Sequence, residues 1–128
     1  MRNIVFRGKR VFDNKWIYGS LLQDEAGHCQ IYHKGEWQSV NATTVGQCTG
    51  MQDSDGQRIY EGDILNFIDF GENFVAEVVW NNTMGYWILQ FRNTRALLET
   101  RPLWNWLTAH KLVCIGSIHD SESPCEAK

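Results

Sequence analysis

The chain has 128 residues and a formal net charge of -3, enough for one compact domain or two small ones, and at this size it buries roughly two-thirds of its surface without staples. Six Trp, six Phe and only two Pro are the composition of a packed globule and exclude a disordered chain. The acidic balance excludes a global attraction to nucleic acid or to an anionic membrane, and no apolar run approaches the length that spans a bilayer.

Short alternating segments separated by turn residues predict an all-β protein. Asn3 to Val11 and Trp16 to Leu22 form a first hairpin, because Asp13-Asn14 between them tolerates a left-handed backbone. His28 to His33 and Glu36 to Val40 form a second, turning at Lys34-Gly35. Here Cys29, Ile31 and His33 alternate with Gln30 and Tyr32, so that one face is buried and the other wet. Asn41 to Thr44 is a short connection. Val45 to Met51, a tight turn at Asp53-Ser54-Asp55-Gly56, and Arg58-Ile59-Tyr60 follow, broken at Glu61-Gly62-Asp63. Its glycines, Gly46, Gly50, Gly56 and Gly62, serve geometry rather than chemistry.

Beyond that break, Ile64 to Phe70, Phe74 to Trp80 and Tyr86 to Arg92 form a three-stranded meander, with turns at Gly71-Glu72-Asn73 and Asn81 to Gly85. Ala96 to Leu107, with Leu97, Leu98, Leu103, Trp104 and Leu107, is the one helical stretch, and Pro102 restricts it to a short helix from Pro102 to Thr108. Lys111 to His119 returns to the sheet. The fold class is therefore mainly β: a β-hairpin amino-terminal part over residues 1–61, a small SH3-like bent barrel with one short helix over 62–119, and a flexible tail over 120–128.

Four cysteines, Cys29, Cys48, Cys114 and Cys125, contain no C-x-x-C pair, and no signal-like apolar run opens the chain, which points to a reducing compartment. Cys48 and Cys114 lie in apolar strands, where a thiol packs as a small hydrophobe. Asp53, Asp55, Gly56 and Glu61 resemble parts of a calcium loop, but the third ligand and the position of the closing glutamate are wrong. His28 and Cys29 point to opposite faces of a strand, and His110, His119 and Cys125 are distant in sequence, so no metal site or cofactor is expected. Glu61 and Asp63 share a face of an extended chain, as acid/base partners must, yet Asp63 reads more simply as the cap of the Gly62 bend. No nucleophile, base and orienter gather, and the expectation is a protein that is not an enzyme.

Two surfaces remain. The aromatics are too many for all to be buried, which nominates Trp16, Trp37, Trp87 and Trp106 as an interaction surface for a protein partner or for self-association. The alternative is a nucleic-acid module using Arg2, Arg7, Arg10 and Lys15 against phosphates and aromatic rings for stacking. The bland reading of these cations is the solvated rim of an edge strand.

Three blocks, IVFRGKRVFDNKWIYGSLL, TTVGQCTGMQDSDGQRIYEGDIL and VCIGSIHD, in that order, resemble the YopX family, small proteins encoded mainly by bacteriophages, prophages and other mobile elements. The resemblance covers most of the chain, with Cys48 in place of a usual aromatic, Met51 of a common leucine and Asp55 of an asparagine. It implies a mostly β protein that assembles into homo-oligomers and works in the cytoplasm of a bacterial host. It carries no catalytic residues over. The resulting expectation is a non-enzymatic accessory protein, an oligomeric interaction module whose partners are itself and a host or phage protein.

Overall fold

The computed structural model describes residues 4–92 and 101–120. It is mainly β, with two antiparallel sheets and one short α-helix, and the chain divides into two compact units, Met1–Cys48 and Thr49–Lys128. The sequence reading placed the division at 61/62. The observed one falls inside a continuous strand, β5 (Gly46–Gln52), where no change of composition announces it.

The first unit holds β1 (Phe6–Lys9), β2 (Trp16–Gln23), β3 (Cys29–His33), β4 (Glu36–Val40) and the opening residues of β5. Its strands lie in the order β4-β3-β2-β1, and Gly46 and Gln47 of β5 continue the ladder opposite Arg7 and Phe6. Asn14, Lys34 and Gly35 take positive φ at the two hairpin turns, as their short or flexible side chains permit. Alternation then decides the faces: Ile17, Cys29, Ile31 and Val40 are buried together, with Phe6, Leu21 and Val45 packed against them. The sheet curls far enough for Arg10 to bridge Val40 and for the Val11 N–H to donate to the Ser39 carbonyl at 3.0 Å.

In the second unit the later residues of β5 and β6 (Arg58–Tyr60) make a hairpin. After it come β7 (Asp63–Asp69), β8 (Glu72–Asn81), β9 (Tyr86–Phe91), α1 (Leu103–Ala109) and β10 (Val113–Ser117). The four-stranded sheet has the order β10-β7-β8-β9. Leu103, Trp106 and Leu107 recur at helical spacing and turn one side of α1 inward, joining Leu65, Phe67, Val78 and Leu89 in a single core. Pro102 stands at the N-cap, and the helix begins at Leu103, one residue later than expected.

Among the described residues this sheet does not close, which corrects the bent barrel expected for residues 62–119. The physical reason is the helix. With α1 burying the apolar face, the sheet has no need to roll upon itself, and the outer side of β9 is met by a single bridge from Pro102 to Ile88 instead of by β10. The turn predicted at Gly71-Glu72-Asn73 is also displaced. It consists of Phe70 and Gly71, both at positive φ, and Glu72 already begins β8. Leu97, Leu98 and the predicted tail from 121 onward lie outside the described residues. No helix among the described residues is long and apolar enough to cross a membrane.

Candidate functional site

The central block that carries the family resemblance is occupied by its own backbone. Asp53 is 6% exposed, and its Oδ1 accepts the N–H groups of Asp55 and Gln57, both at 2.9 Å, while its Oδ2 accepts that of Cys114 at 3.0 Å. The expected tight turn is thus held by the side chain of its first residue. Thr49 Oγ1 donates to the Ile59 carbonyl and accepts from the Met51 N–H. Asp63 is 2% exposed and accepts the Tyr60 N–H at 2.7 Å across the Glu61-Gly62 bend. Gly62, at φ +90°, donates to the Val78 carbonyl and accepts from Ile118. The carboxyl considered for acid/base work is therefore the cap of the bend, and Glu61 is half-buried beside it.

The aromatic residues fall into distinct environments. On the face of the first unit opposite the core, the register pairs Ser20 with Tyr32 and Tyr32 with Trp37, and Arg7 with Tyr18. Tyr18, Tyr32 and Trp37 are all exposed there, and the Tyr32 and Trp37 rings meet edge to face with centroids 5.2 Å apart. Trp16, on the same strand as Tyr18 and the same face, is half-buried: the Arg7 guanidinium lies 4.3 Å from its ring centre and the Lys9 ammonium 5.3 Å.

Among the second unit's nominees, Trp87 is half-buried, in edge contact with exposed Trp80 at 5.0 Å. Trp106 is a correction. It is 3% exposed, packed against Phe67 and Phe91 with Arg101 stacked on its ring, because it shares the inward stripe of α1 with Leu103. The exposed tryptophan of this helix is Trp104.

The basic candidates do not assemble into a free hairpin face. Arg7 is buried against Trp16. Arg10 donates from Nε and Nη2 to the two oxygens of Asp13, at 3.0 and 2.6 Å, and from Nη1 to Gln38. Lys15 is exposed, and Arg2 lies outside the described residues. The two Arg10 bonds, the largest cause, push the Asp13 carboxyl down to about 2 from its ordinary 3.8. A carboxyl lowered in the folded state adds stability above its unfolded value and loses it as pH falls through the folded one. Titration of the Asp13 carboxyl carbon by NMR should show a midpoint near 2, and Arg10→Met should return it toward 3.8; an ordinary midpoint in the unaltered protein would remove the ion pair from the account.

Cys29 is buried, Cys48 and Cys114 are half-buried, and no disulfide joins any two of these three; Cys125 lies outside the described residues. A cavity of about 320 Å³ is lined by Leu22, Asp24, His28, Cys29, Gln30 and Ser39. Its Asp24 accepts the Ala26 and His28 N–H groups and meets His28 Nδ1 at 3.2 Å, and the His28 backbone bond holds its carboxyl below the usual range. These bonds close the β2–β3 turn. His110 stacks on Phe67 with centroids 4.5 Å apart. Among the described residues no three of His, Cys, Asp and Glu are placed to hold a metal ion.

The two most exposed aromatics among the described residues, Phe12 at the β1–β2 turn and Phe70 at the β7–β8 turn, were not among the nominees. The signal for Phe70 was the dipeptide Phe-Gly between two strand-like runs, where glycine marks a turn and phenylalanine is its neighbour. No curated protein matches the chain. The family model described as YopX protein matches residues 5–124 of the 128, and the chain belongs to the YopX family.

Proposed function

We propose that this chain is a non-enzymatic interaction module that self-associates and binds a protein partner through the aromatic face of its first unit, as an accessory protein of a phage or prophage in the bacterial cytoplasm. The single observation that carries the reading is the grouping of Tyr18, Tyr32 and Trp37, all exposed, on one face of a sheet whose other face is core. Large rings with a polar tip, set on a rigid sheet, lose little conformational entropy on binding and supply most of the energy at protein interfaces. Two of the cations that a nucleic-acid module would turn to phosphate are engaged within the unit: Arg7 with Trp16, and Arg10 with Asp13 and Gln38. The phage context rests on the family's known carriers.

Light scattering coupled to size exclusion, at low and high salt and with and without DNA, tests the class. A salt-insensitive oligomer that ignores DNA supports the module; a monomer that shifts with DNA at low salt only overturns it. The face is tested by Trp37→Ala, expected to change fold stability by less than about 1 kcal/mol because the residue is nearly half exposed. The same change should cut capture of the partner from host lysate by about tenfold or more. Equal capture by both proteins would remove Trp37 from the interface.

A further inference from the structure

The β7–β8 connection is a two-residue turn, Phe70-Gly71, with φ of +52° and +74°. A turn of this hand suits Asn, Asp or Gly at its first position, and a bulky aromatic held there is strained. Phe70 is 96% exposed and Ile68, on the same hairpin, 71%, so packing among the described residues does little to offset that strain. Two carboxylates, Asp69 and Glu72, flank the pair. The result is an apolar knob with acidic shoulders whose contacts must come from outside the chain to be of use.

The first unit presents a groove that such a knob fits. It encloses about 500 Å³ and is lined by Arg10, Val11, Phe12, Glu36, Gln38 and Ser39, with Phe12 itself 89% exposed. Lys15 follows and Lys34 precedes these lining segments, and both are exposed. Arg10, Lys15 and Lys34 against Asp13 and Glu36 leave the surroundings with an excess of one positive charge, opposite in sign to the tip.

We infer that the Phe70 tip of one copy seats in the Phe12 groove of a second copy. The contact is head to tail: the apolar rings supply the affinity, and the acidic tip against the basic surroundings sets the orientation. Each terminal copy keeps a free knob or a free groove, so the assembly extends until its rotation closes a ring. The inference rests on the self-association proposed above but not on the aromatic face.

Three proteins test it by sedimentation velocity: the unaltered chain, Phe70→Asn and Phe12→Asp. Asparagine suits a positive φ, so Phe70→Asn should melt at the same temperature or higher while self-associating at least tenfold more weakly. Phe12→Asp should weaken association to the same degree. Mixed in equal amounts, the two variants should recover one contact and run as a 1:1 heterodimer, since one retains its groove and the other its knob. If the unaltered chain oligomerises and Phe70→Asn does so equally, this contact is wrong and self-association stands; if the unaltered chain is a monomer at all concentrations, both fall. A lower melting temperature for Phe70→Asn, or two weakened variants that fail to complement, would likewise overturn it.

Discussion

Gly19→Ala is expected to lower stability by about 3–5 kcal/mol, a large share of the roughly 5–15 kcal/mol that holds a domain together. Gly19 lies in the middle of β2, paired with Phe6 of β1, at φ +157°. A Cβ placed there would sit 2.0 Å from the Tyr32 carbonyl oxygen and 3.4 Å from Ile31 Cγ2. The obstacle is backbone, so no rotamer relieves it, and β2 must move off β3. That movement breaks the ladder from Ser20–Tyr32 to Gln23–Cys29 and opens the core around Ile17 and Ile31. Gly27→Ala is the control. Gly27 also has a positive φ, +90°, but nothing stands within 4 Å of its added Cβ, so only backbone strain of about 1–3 kcal/mol remains. Urea denaturation of both variants separates collision from strain, and equal losses would mean that β2 and β3 are not so close.

The strands of this protein were legible because their signals are local. Asp13-Asn14 and Lys34-Gly35 supply the left-handed residues that hairpins need, and the alternation of Cys29, Ile31 and Tyr32 assigns faces without knowledge of the partner strand. The Phe70-Gly71 turn was misplaced because phenylalanine is a poor occupant of that position, and a reading by propensity moves the turn to the polar residues beyond it. Whether the second sheet closes depends on where α1 lies, which no window of sequence contains.

The candidate site was legible in part. Tyr18, Tyr32 and Trp37 come together through two registers, Tyr32 with Trp37 and Ser20 with Tyr32, and registers are long-range facts. The helical spacing of Leu103, Trp106 and Leu107 was enough to choose Trp106 as the buried ring, had the stripe been weighed above the count of aromatics. Arg7 could be counted as a charge but not paired with Trp16, nor Arg10 with Gln38, since those partners reach them only across strands, whereas the Arg10–Asp13 pair is local, three residues apart.

Asp53→Ala should cost about 2–4 kcal/mol, because removing a buried acceptor from three part-buried donors leaves each with a desolvation penalty of up to about 1–3 kcal/mol, partly relieved by entering water. Two of the three donors, the N–H groups of Asp55 and Gln57, belong to the turn that Asp53 opens. The third, the N–H of Cys114, is 61 residues further on in β10, and the neighbouring Ser54 N–H donates to the Leu112 carbonyl at 2.9 Å. One carboxylate thus shapes the β5–β6 turn with one oxygen and ties it to β10 with the other. Asp53→Asn divides the two roles: its amide oxygen can still serve the turn, but its NH₂ faces the Cys114 N–H, donor against donor. Its loss should therefore be about half that of alanine, and hydrogen exchange at Cys114 should quicken while the turn amides stay protected. If asparagine proves as damaging as alanine and all three amides exchange together, the charge of Asp53 matters more than its separate bonds. If neither variant loses stability, the block that marks the family is not held by this carboxylate.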